Sequence, residues 1–229
     1  MPRIARAVAV GVPHHVTQRG NHRQDVFFSP EDHQVYLQWL AEYAAKYNVS
    51  IWAYCLMLNH IHLVVTPNSP NALAHTMQAV QSRFTQRQNN QFHWEGHLWQ
   101  GRFFSAPLDD SYFWHAIRYV ERNPCRAKLV DRAEDYRWSS AAAHCGLVTD
   151  QILSPIIGEP AMTEVEWSDW LAGDEGDEIR LLRAATDSGN ACGGPDFIAR
   201  LSSIIGRPLQ VKPRGRPKKL ISQIVEDIG

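Results

Sequence analysis

The chain has 229 residues, of which 44% are hydrophobic and 21% charged, which is typical of a folded protein with a sizeable core. No apolar run approaches the ~20 residues that a membrane-spanning helix needs, and residues 1–16 lack the apolar segment of a signal peptide. The four cysteines are widely spaced and form no CxxC pair, which argues against a zinc ribbon or a disulfide framework. We therefore expect a cytoplasmic protein with no membrane partner.

Charge is distributed unevenly along the chain, whose formal net charge at pH 7 is −1. Residues 1–130 carry 12 Lys or Arg against 8 Asp or Glu. Residues 159–178 hold eight acids and no Lys or Arg, whereas residues 200–219 hold seven bases and no acid. These local blocks indicate more about binding partners than the total charge does.

The hydrophobic pattern predicts an α+β fold. In chain order it indicates a strand at residues 10–19, a helix from residue 30, strands at 49–58 and 60–66, a helix at about 71–90, a strand at 103–108, and a helix from Asp109 or Asp110 to Pro124. Ser29, Pro30 and Asp32 form a typical helix start. The strand at 49–58 is apolar on both faces, as expected of a central strand.

The order strand, helix, strand, strand, helix, strand matches a ferredoxin-like βαββαβ sandwich with an antiparallel sheet, followed here by a further helix. Shorter helices are predicted near residues 164–171, 176–186 and 195–205. We expect three regions: a main domain at 1–148, a helical C-terminal extension at 149–206, and a basic tail at 207–229.

Two histidines, His60 and His62, flank Ile61 on the predicted strand at 60–66. Residues i and i+2 of a strand point to the same side, so both imidazoles project together. Two convergent imidazoles make half of a divalent-metal site. For this spacing alone, two structural histidines packed on a sheet face remain the alternative.

Tyr119 and Asn123 form a second pair, placed i and i+4 on the helix that ends at Pro124. Phe113, Ile117 and Val120 supply the opposite, core-facing stripe. A phenol nucleophile must reach the phosphate that a metal polarises, and the Asn123 amide oxygen is a candidate third ligand. The alternative is a packed tyrosine and an asparagine that ends a helix before proline.

Taken together, these residues resemble the HUH endonucleases, and within them the REP-associated tyrosine transposases, relatives of the one-tyrosine transposases of single-strand insertion sequences. The matching segments span residues 13 to about 140, and their joint order is specific although each is weak alone. They are PHHVTQRGN at 13–21, MLNHIHLV at 57–64, WQGRF at 99–103, YVERNPCRA at 119–127 and WSS at 138–140.

The resemblance implies that Tyr119 attacks the scissile phosphate, forms a 5′-phosphotyrosine and releases a 3′-OH. It also implies that His60, His62 and Asn123 hold Mg²⁺ or Mn²⁺. The expected partner is single-stranded DNA containing hairpin repeats, which places the protein at the nucleoid. Members of the REP-associated group are thought to act as monomers, and related transposases with a swapped tyrosine helix are dimers, so the resemblance implies a monomer with a dimer as the alternative. The base that activates Tyr119 is not identified by the sequence.

Several basic and aromatic side chains are candidates for DNA contacts. Aromatic rings at Trp94, His97, Trp99 and Phe103 interleave with arginines and could stack on unpaired bases. Gly20 sits where a hairpin backbone could approach closely, although a plain turn explains it equally well. The alternative for most of these residues is a solvated face or the core. The basic candidates are Arg19, Arg23, Arg83, Arg87, Arg102, Arg118, Arg122 and Arg126.

The tail contains PRGRPKK at residues 213–219, which resembles an AT-hook. In such a hook an extended Arg-Gly-Arg, here Arg214 to Arg216, enters the narrow A·T minor groove. The alternative is an unstructured basic tail that binds DNA non-specifically.

Three functions are compatible with these residues. The first is a metal-dependent tyrosine transposase or single-strand endonuclease that mobilises or processes repetitive palindromic elements. The second is a protein of the same fold that binds hairpin DNA without cutting it. The third is a metal phosphodiesterase that uses water. The joint presence of His60, His62, Tyr119 and Asn123 favours the first, because a pure binding protein need not keep all four.

Removal of residues 207–229 should weaken DNA binding and reduce its dependence on salt, because it deletes basic side chains that neutralise phosphates. Titration of hairpin DNA at several salt concentrations measures both quantities. Unchanged affinity and unchanged salt dependence would contradict a DNA-binding role for the tail.

Overall fold

A four-stranded antiparallel sheet organises the protein. In the computed structural model, the described residues are 6–156, 162–173 and 176–211. The strands are β1 (His14–Arg19), β2 (Val49–Met57), β3 (His60–Pro67) and β4 (Phe104–Pro107), in the spatial order β2-β3-β1-β4. All three pairings are antiparallel. This order is the ferredoxin-like one, so the predicted fold class is confirmed.

Eight α-helices surround this sheet within the described residues. They are α1 (Pro30–Tyr47), α2 (Ala72–Phe92), α3 (Asp110–Glu121), α4 (Asn123–Arg126), α5 (Ala141–His144), α6 (Glu164–Ala172), α7 (Glu178–Ser188) and α8 (Pro195–Ile205). The order of α1, α2, α3, α6, α7 and α8 confirms the predicted helices, whereas the four-residue helices α4 and α5 are additions that the sequence did not predict. None of the helices in the described ranges is long and apolar enough to span a membrane.

The sheet carries a separate core on each face. On one face Ile61, Leu63 and Val65 of β3 are buried with side chains of α1 and α2. On the other face Val64 is buried with Ile117 of α3 and side chains of α7. Successive residues of a strand point to opposite faces, so the predicted alternation along β3 is confirmed.

Helix α1 begins as its sequence predicts. Ser29 is the N-cap, and its side chain accepts a hydrogen bond from the backbone N–H of Asp32. The Asp32 carboxylate in turn accepts from the Ser29 backbone N–H at 3.1 Å. Pro30 occupies the first turn, where its missing N–H costs no hydrogen bond.

The prediction that residues 49–58 form a central strand is wrong, because β2 lies at the edge of the sheet. The segment that follows α4 covers this edge. Leu56 N–H donates to the Trp138 carbonyl at 2.9 Å, and Ser140 N–H donates to the Tyr54 carbonyl at 3.0 Å. Helices pack on both faces of β2 as well, so an edge strand acquires the apolar pattern of an interior one.

Two boundaries differ from those predicted. Strand β1 begins at His14 rather than at residue 10, because Gly11 adopts a φ of 74° and turns the chain before Pro13. The tyrosine-bearing helix α3 ends at Glu121, and Pro124 lies in the first turn of the separate helix α4. Proline fits a first turn but not a helix interior, so the chain starts a new helix there.

The C-terminal helices pack on the sheet and on α3. Leu182 and Ala185 of α7 are fully buried in the same core cluster as Ile117. The division at residue 148 stays a prediction. Packing continues past residue 206, since Leu209 is fully buried and its carbonyl accepts from Ala191 N–H at 3.0 Å. A truncation that tests the tail should therefore start at residue 212. The AT-hook-like residues 213–219 lie outside the described ranges.

A fully buried carboxylate, Glu121, fixes the end of α3. Its Oε1 accepts hydrogen bonds from the Ser140 hydroxyl and from His144 Nδ1, the latter at 2.6 Å. Its Oε2 accepts from Trp167 Nε1 at 2.9 Å. Glu121 thus ties α3 to α5, to α6 and to the segment that covers the β2 edge.

Replacing Glu121 with alanine should lower the free energy of unfolding by about 3 kcal/mol, because it leaves buried donors without their acceptor. Urea denaturation measures this change. Glu95→Ala, at an exposed acid, is the control and should change stability by no more than about 0.5 kcal/mol. Equal stability of the two variants would contradict the structural role of Glu121.

Candidate active site

A pocket of about 370 Å³ opens where β1, β3, α3, α4 and α7 meet. The four residues predicted to carry the chemistry, His60, His62, Tyr119 and Asn123, all line it. The full lining is His15, Thr17, Arg19, His60, His62, Tyr119, Asn123, Arg183, Thr186 and Asp187.

The two predicted metal ligands project together from β3. The rings of His60 and His62 have centroids 5.0 Å apart and are nearly perpendicular. The Tyr119 ring lies 5.4 Å from the His62 ring and 5.5 Å from the His15 ring, in both cases edge to face. The two imidazoles therefore share one face of the sheet, as their spacing predicts, and the nucleophile candidate lies over the same face.

Both imidazoles are neutral at pH 7. Burial, with a contribution from the Arg19 guanidinium, lowers the pKa of His60 to about 4. Burial also lowers the pKa of His62 well below its usual value, and the nearby His15 and His60 add to this effect. Neutral imidazole is the form that binds metals.

The hydrogen bond of His60 determines which of its nitrogens is available. Its Nδ1 lies 2.6 Å from Asn59 Oδ1, an acceptor, while Asn59 Nδ2 donates to the Arg23 carbonyl at 3.0 Å. His60 Nδ1 therefore carries the proton, and its Nε2 keeps a lone pair.

The third candidate ligand, Asn123, lines the same pocket as the two imidazoles. Its side chain is 8% exposed, and its Nδ2 is buried without a hydrogen-bond partner. The oxygen and nitrogen of an amide exchange places by rotation of the side chain, so the carbonyl oxygen can occupy that position. The described residues contain no metal-binding group of three or more His, Cys, Asp or Glu side chains, so an ion here would rely on the amide as third protein ligand.

Tyr119 is 5% exposed and is held by two arginines. Arg183 Nε donates to the Tyr119 hydroxyl at 3.1 Å. The Arg126 guanidinium lies 4.1 Å from the centre of the Tyr119 ring and hydrogen-bonds to the Tyr119 carbonyl. Arg126, predicted as a phosphate contact, thus contacts the candidate nucleophile and is half-buried; its DNA contact stays a prediction.

The sequence reasoning missed five pocket residues: His15, Thr17, Arg183, Thr186 and Asp187. A signal existed for the first two, because they alternate on β1 within the segment PHHVTQRGN. For the three residues of α7 there was none, since they belong to no recognised motif and reach the pocket only through packing.

The other predicted DNA contacts divide by location. Arg19 is the last residue of β1 and lies opposite His60, and Arg23 lies in the short turn that follows; both are exposed. Arg102 is exposed in a neighbouring groove that shares Asp187 with the pocket. These positions suit phosphate contacts along a strand that enters the site.

Two predicted contacts, Arg83 and Arg87, lie on α2, which packs against the opposite face of the sheet. Arg83 pairs with Glu42 at 3.0 Å, and Arg87 pairs with Asp32 and Glu31. These ion pairs give both arginines a role in joining α1 to α2, and their DNA contacts stay predictions.

Gly20 and Trp99 have structural explanations. A Cβ on Gly20 would lie 2.2 Å from the Gln24 carbonyl oxygen, so the chain itself makes the close approach. Trp99 is 6% exposed and packs near Tyr36 and Phe84, which leaves little of its ring for stacking on a base. Trp94, in contrast, is 43% exposed.

For the four remaining arginines that were predicted to contact DNA, the described part of the chain gives no position that lines the pocket. Arg118 lies over the Trp170 ring at 5.6 Å, and Arg122 is half-buried at the junction of α3 and α4. Arg214 and Arg216 lie outside the described residues. For all four, DNA binding stays a prediction.

Stability should fall as the pH is lowered from 7 to 5. Burial lowers the pKa of His14 to about 4 and, with Arg126, that of His15 to about 3, whereas an unfolded chain has about 6.5. The unfolded state therefore binds more protons, so the stability present above pH ~6.5 is lost as the pH falls toward 4. We expect a loss of about 1 kcal/mol per histidine for each pH unit below ~6 in urea denaturation. Ring signals of His14 and His15 that titrate near 6.5 in the folded protein would contradict this.

Comparisons with known proteins identify the family and the fold. Residues 10–123, about half of the chain, match the family described as "Transposase IS200 like". A REP-associated tyrosine transposase bound to a REP hairpin has a TM-score of 0.55 and 16% identity, covering 69% of this chain and 100% of that chain. A putative transposase from Deinococcus radiodurans R1 has a TM-score of 0.38 and 19% identity, covering 53% and 97%.

A comparison with curated protein sequences gave no significant match. The likeness to the REP-associated tyrosine transposase is one of fold, and it confirms the expected relationship together with the family match. The chain belongs to the IS200-like transposase family.

Proposed function

We propose that this protein cuts single-stranded DNA with Tyr119 as nucleophile and stays attached to the 5′ end of the cut. The observation that carries the proposal is the convergence of Tyr119, His60, His62 and Asn123 on one pocket. Membership of a transposase family supports it.

In the proposed step the Tyr119 oxygen bonds to the phosphorus, and the bond from phosphorus to the 3′ oxygen breaks. The phenol loses one proton and the departing 3′ oxygen gains one, so the products are a 5′-phosphotyrosine and a 3′-OH. The new phosphodiester keeps the energy of the broken one, and a 3′-OH can later reverse the step without ATP.

We propose that His60, His62 and Asn123 hold Mg²⁺ or Mn²⁺. When bound, the ion neutralises charge on the scissile phosphate and orients it for in-line attack. The chain supports this assignment with two neutral imidazoles and a buried amide whose nitrogen has no partner. Arg183 contributes a permanent positive charge beside the attacking oxygen.

The proposed substrate is a single strand that contains hairpin repeats. The REP-associated transposase of similar fold is bound to such a hairpin, which supports this choice. The backbone of an unpaired strand can bend so that a phosphate enters the pocket. Exposed Arg19, Arg23 and Arg102 lie where the strand would continue. We propose a monomer as the active form, because Tyr119 lies against the imidazoles of its own chain.

The decisive experiment incubates the protein with labelled hairpin-bearing single-stranded DNA and Mn²⁺, then separates the products on a denaturing gel. We expect a covalent adduct that Tyr119→Phe abolishes, a loss of at least about 10³-fold. Tyr112→Phe, earlier on α3, is the matched control and should keep the adduct.

Other outcomes identify the alternatives. Free cleaved DNA without an adduct would indicate attack by water, and binding without cleavage would indicate a hairpin-binding protein.

His62→Ala should abolish cleavage but keep DNA affinity within about threefold, because phosphate contacts supply most of the affinity. Undiminished cleavage in EDTA would rule out the metal.

A further inference from the structure

Helix α7 closes one side of the pocket with three side chains from a single helix face. Arg183, Thr186 and Asp187 lie at i, i+3 and i+4, so they share one face of the helix. On the other side Leu182 and Ala185 are fully buried against the core of α3 and the sheet. The helix is thus firmly seated, and it lies outside residues 10–123, which match the family.

A hydrogen-bond chain runs from α7 to the metal-ligand candidate His62. The Thr186 hydroxyl donates its single proton to the Leu182 carbonyl at 2.8 Å. It can therefore only accept at its other contact, which is His15 Nδ1 at 2.8 Å. His15 Nδ1 accordingly carries a proton.

The next hydrogen bond in this chain joins His15 to His62. His15 is 1% exposed, and burial disfavours the charged imidazolium, so its Nε2 bears a lone pair. That nitrogen lies 2.9 Å from His62 Nδ1, and the two rings are parallel within 5°. His62 must donate through Nδ1, and its Nε2 is left unprotonated.

A second contact from α7 reaches the nucleophile. Arg183 Nε donates to the Tyr119 hydroxyl at 3.1 Å, and its guanidinium lies 5.2 Å from the ring centre. Arginine keeps its charge at any working pH, so it faces the negative charge that develops on this oxygen as the phenol proton leaves. Placed charges of this kind stabilise a transition state without reorganisation.

We propose that α7 is part of the catalytic centre: Arg183 is a catalytic residue that stabilises charge on the Tyr119 oxygen, and Thr186 and His15 are positioning residues that keep His62 Nε2 free to bind a metal. This role rests on the function proposed for Tyr119 and His62. The opposite role, a cover that restrains Tyr119, would make loss of the Arg183 contact increase activity.

The proposed role of Arg183 is tested by measuring the rate of single-turnover adduct formation at saturating hairpin DNA and Mn²⁺. Arg183→Ala should slow the reaction on the order of 100-fold while DNA affinity stays within about threefold. Arg183→Lys should recover part of the rate. Arg180→Ala is the matched control, since Arg180 is exposed on the same helix and pairs with Asp177. An Arg183→Ala rate equal to or above the wild-type rate overturns the catalytic role of Arg183.

The positioning role of Thr186 and His15 can be measured without DNA. Long-range ¹⁵N–¹H spectra of the metal-free protein should show His62 protonated at Nδ1 and bare at Nε2. Thr186→Val removes the acceptor of His15 and should weaken Mn²⁺ binding by about 10–100-fold in calorimetry. Thr186→Ser keeps the hydroxyl and should restore both. A proton on His62 Nε2 in the wild type, or unchanged Mn²⁺ affinity in Thr186→Val, overturns it.

These measurements separate the failure of the α7 role from failure of the proposed function. If the wild-type protein forms no adduct, or Tyr119→Phe keeps it, the proposed function is wrong, and the His62 tautomer is still measurable. If the wild type forms the adduct and both Arg183→Ala and Thr186→Val match it in rate and Mn²⁺ affinity, only the role of α7 is wrong.

Discussion

The site depends on the antiparallel pairing of β3 with β1 in the interior of the sheet. In this register Thr17 lies opposite His62, and alternation along β1 brings His15 to the same face. His15 can therefore hydrogen-bond to His62, while Ile61 enters the core on the other side. A slip of one residue would turn each of these side chains to the wrong face, and burial of the apolar set on β3 opposes such a slip.

The tyrosine helix crosses the face that this pairing creates, and a buried carboxylate holds its end. Glu121 lies two residues after Tyr119 and accepts hydrogen bonds from Ser140, His144 and Trp167. A buried charge is costly unless its lone pairs are satisfied, and these donors provide that compensation. The segment that covers the outer edge of β2 therefore also holds the end of the helix that carries Tyr119.

The C-terminal helices extend this arrangement beyond the region that matches the family. The matched region supplies the two imidazoles, the phenol and the amide. Helix α7 adds Arg183 beside the phenol oxygen and Thr186 behind His15. A part of the chain that its sequence alone presents as an appendage thus contacts the nucleophile directly and reaches the metal-ligand candidate His62 through His15.

The sequence by itself determined the order of the elements, the shared side of His60 and His62, and the placement of Tyr119 on a helix after the fourth strand. These features follow from local backbone geometry, which repeats every 2 or 3.6 residues. Only the tertiary structure decided that Arg126 lies against Tyr119 and that Trp99 is buried. It also decided that Arg183 and Thr186 reach the pocket, since their contacts join residues 64 and 171 positions apart. No local periodicity encodes such pairs; they arise when the apolar side of α7 is buried beside α3.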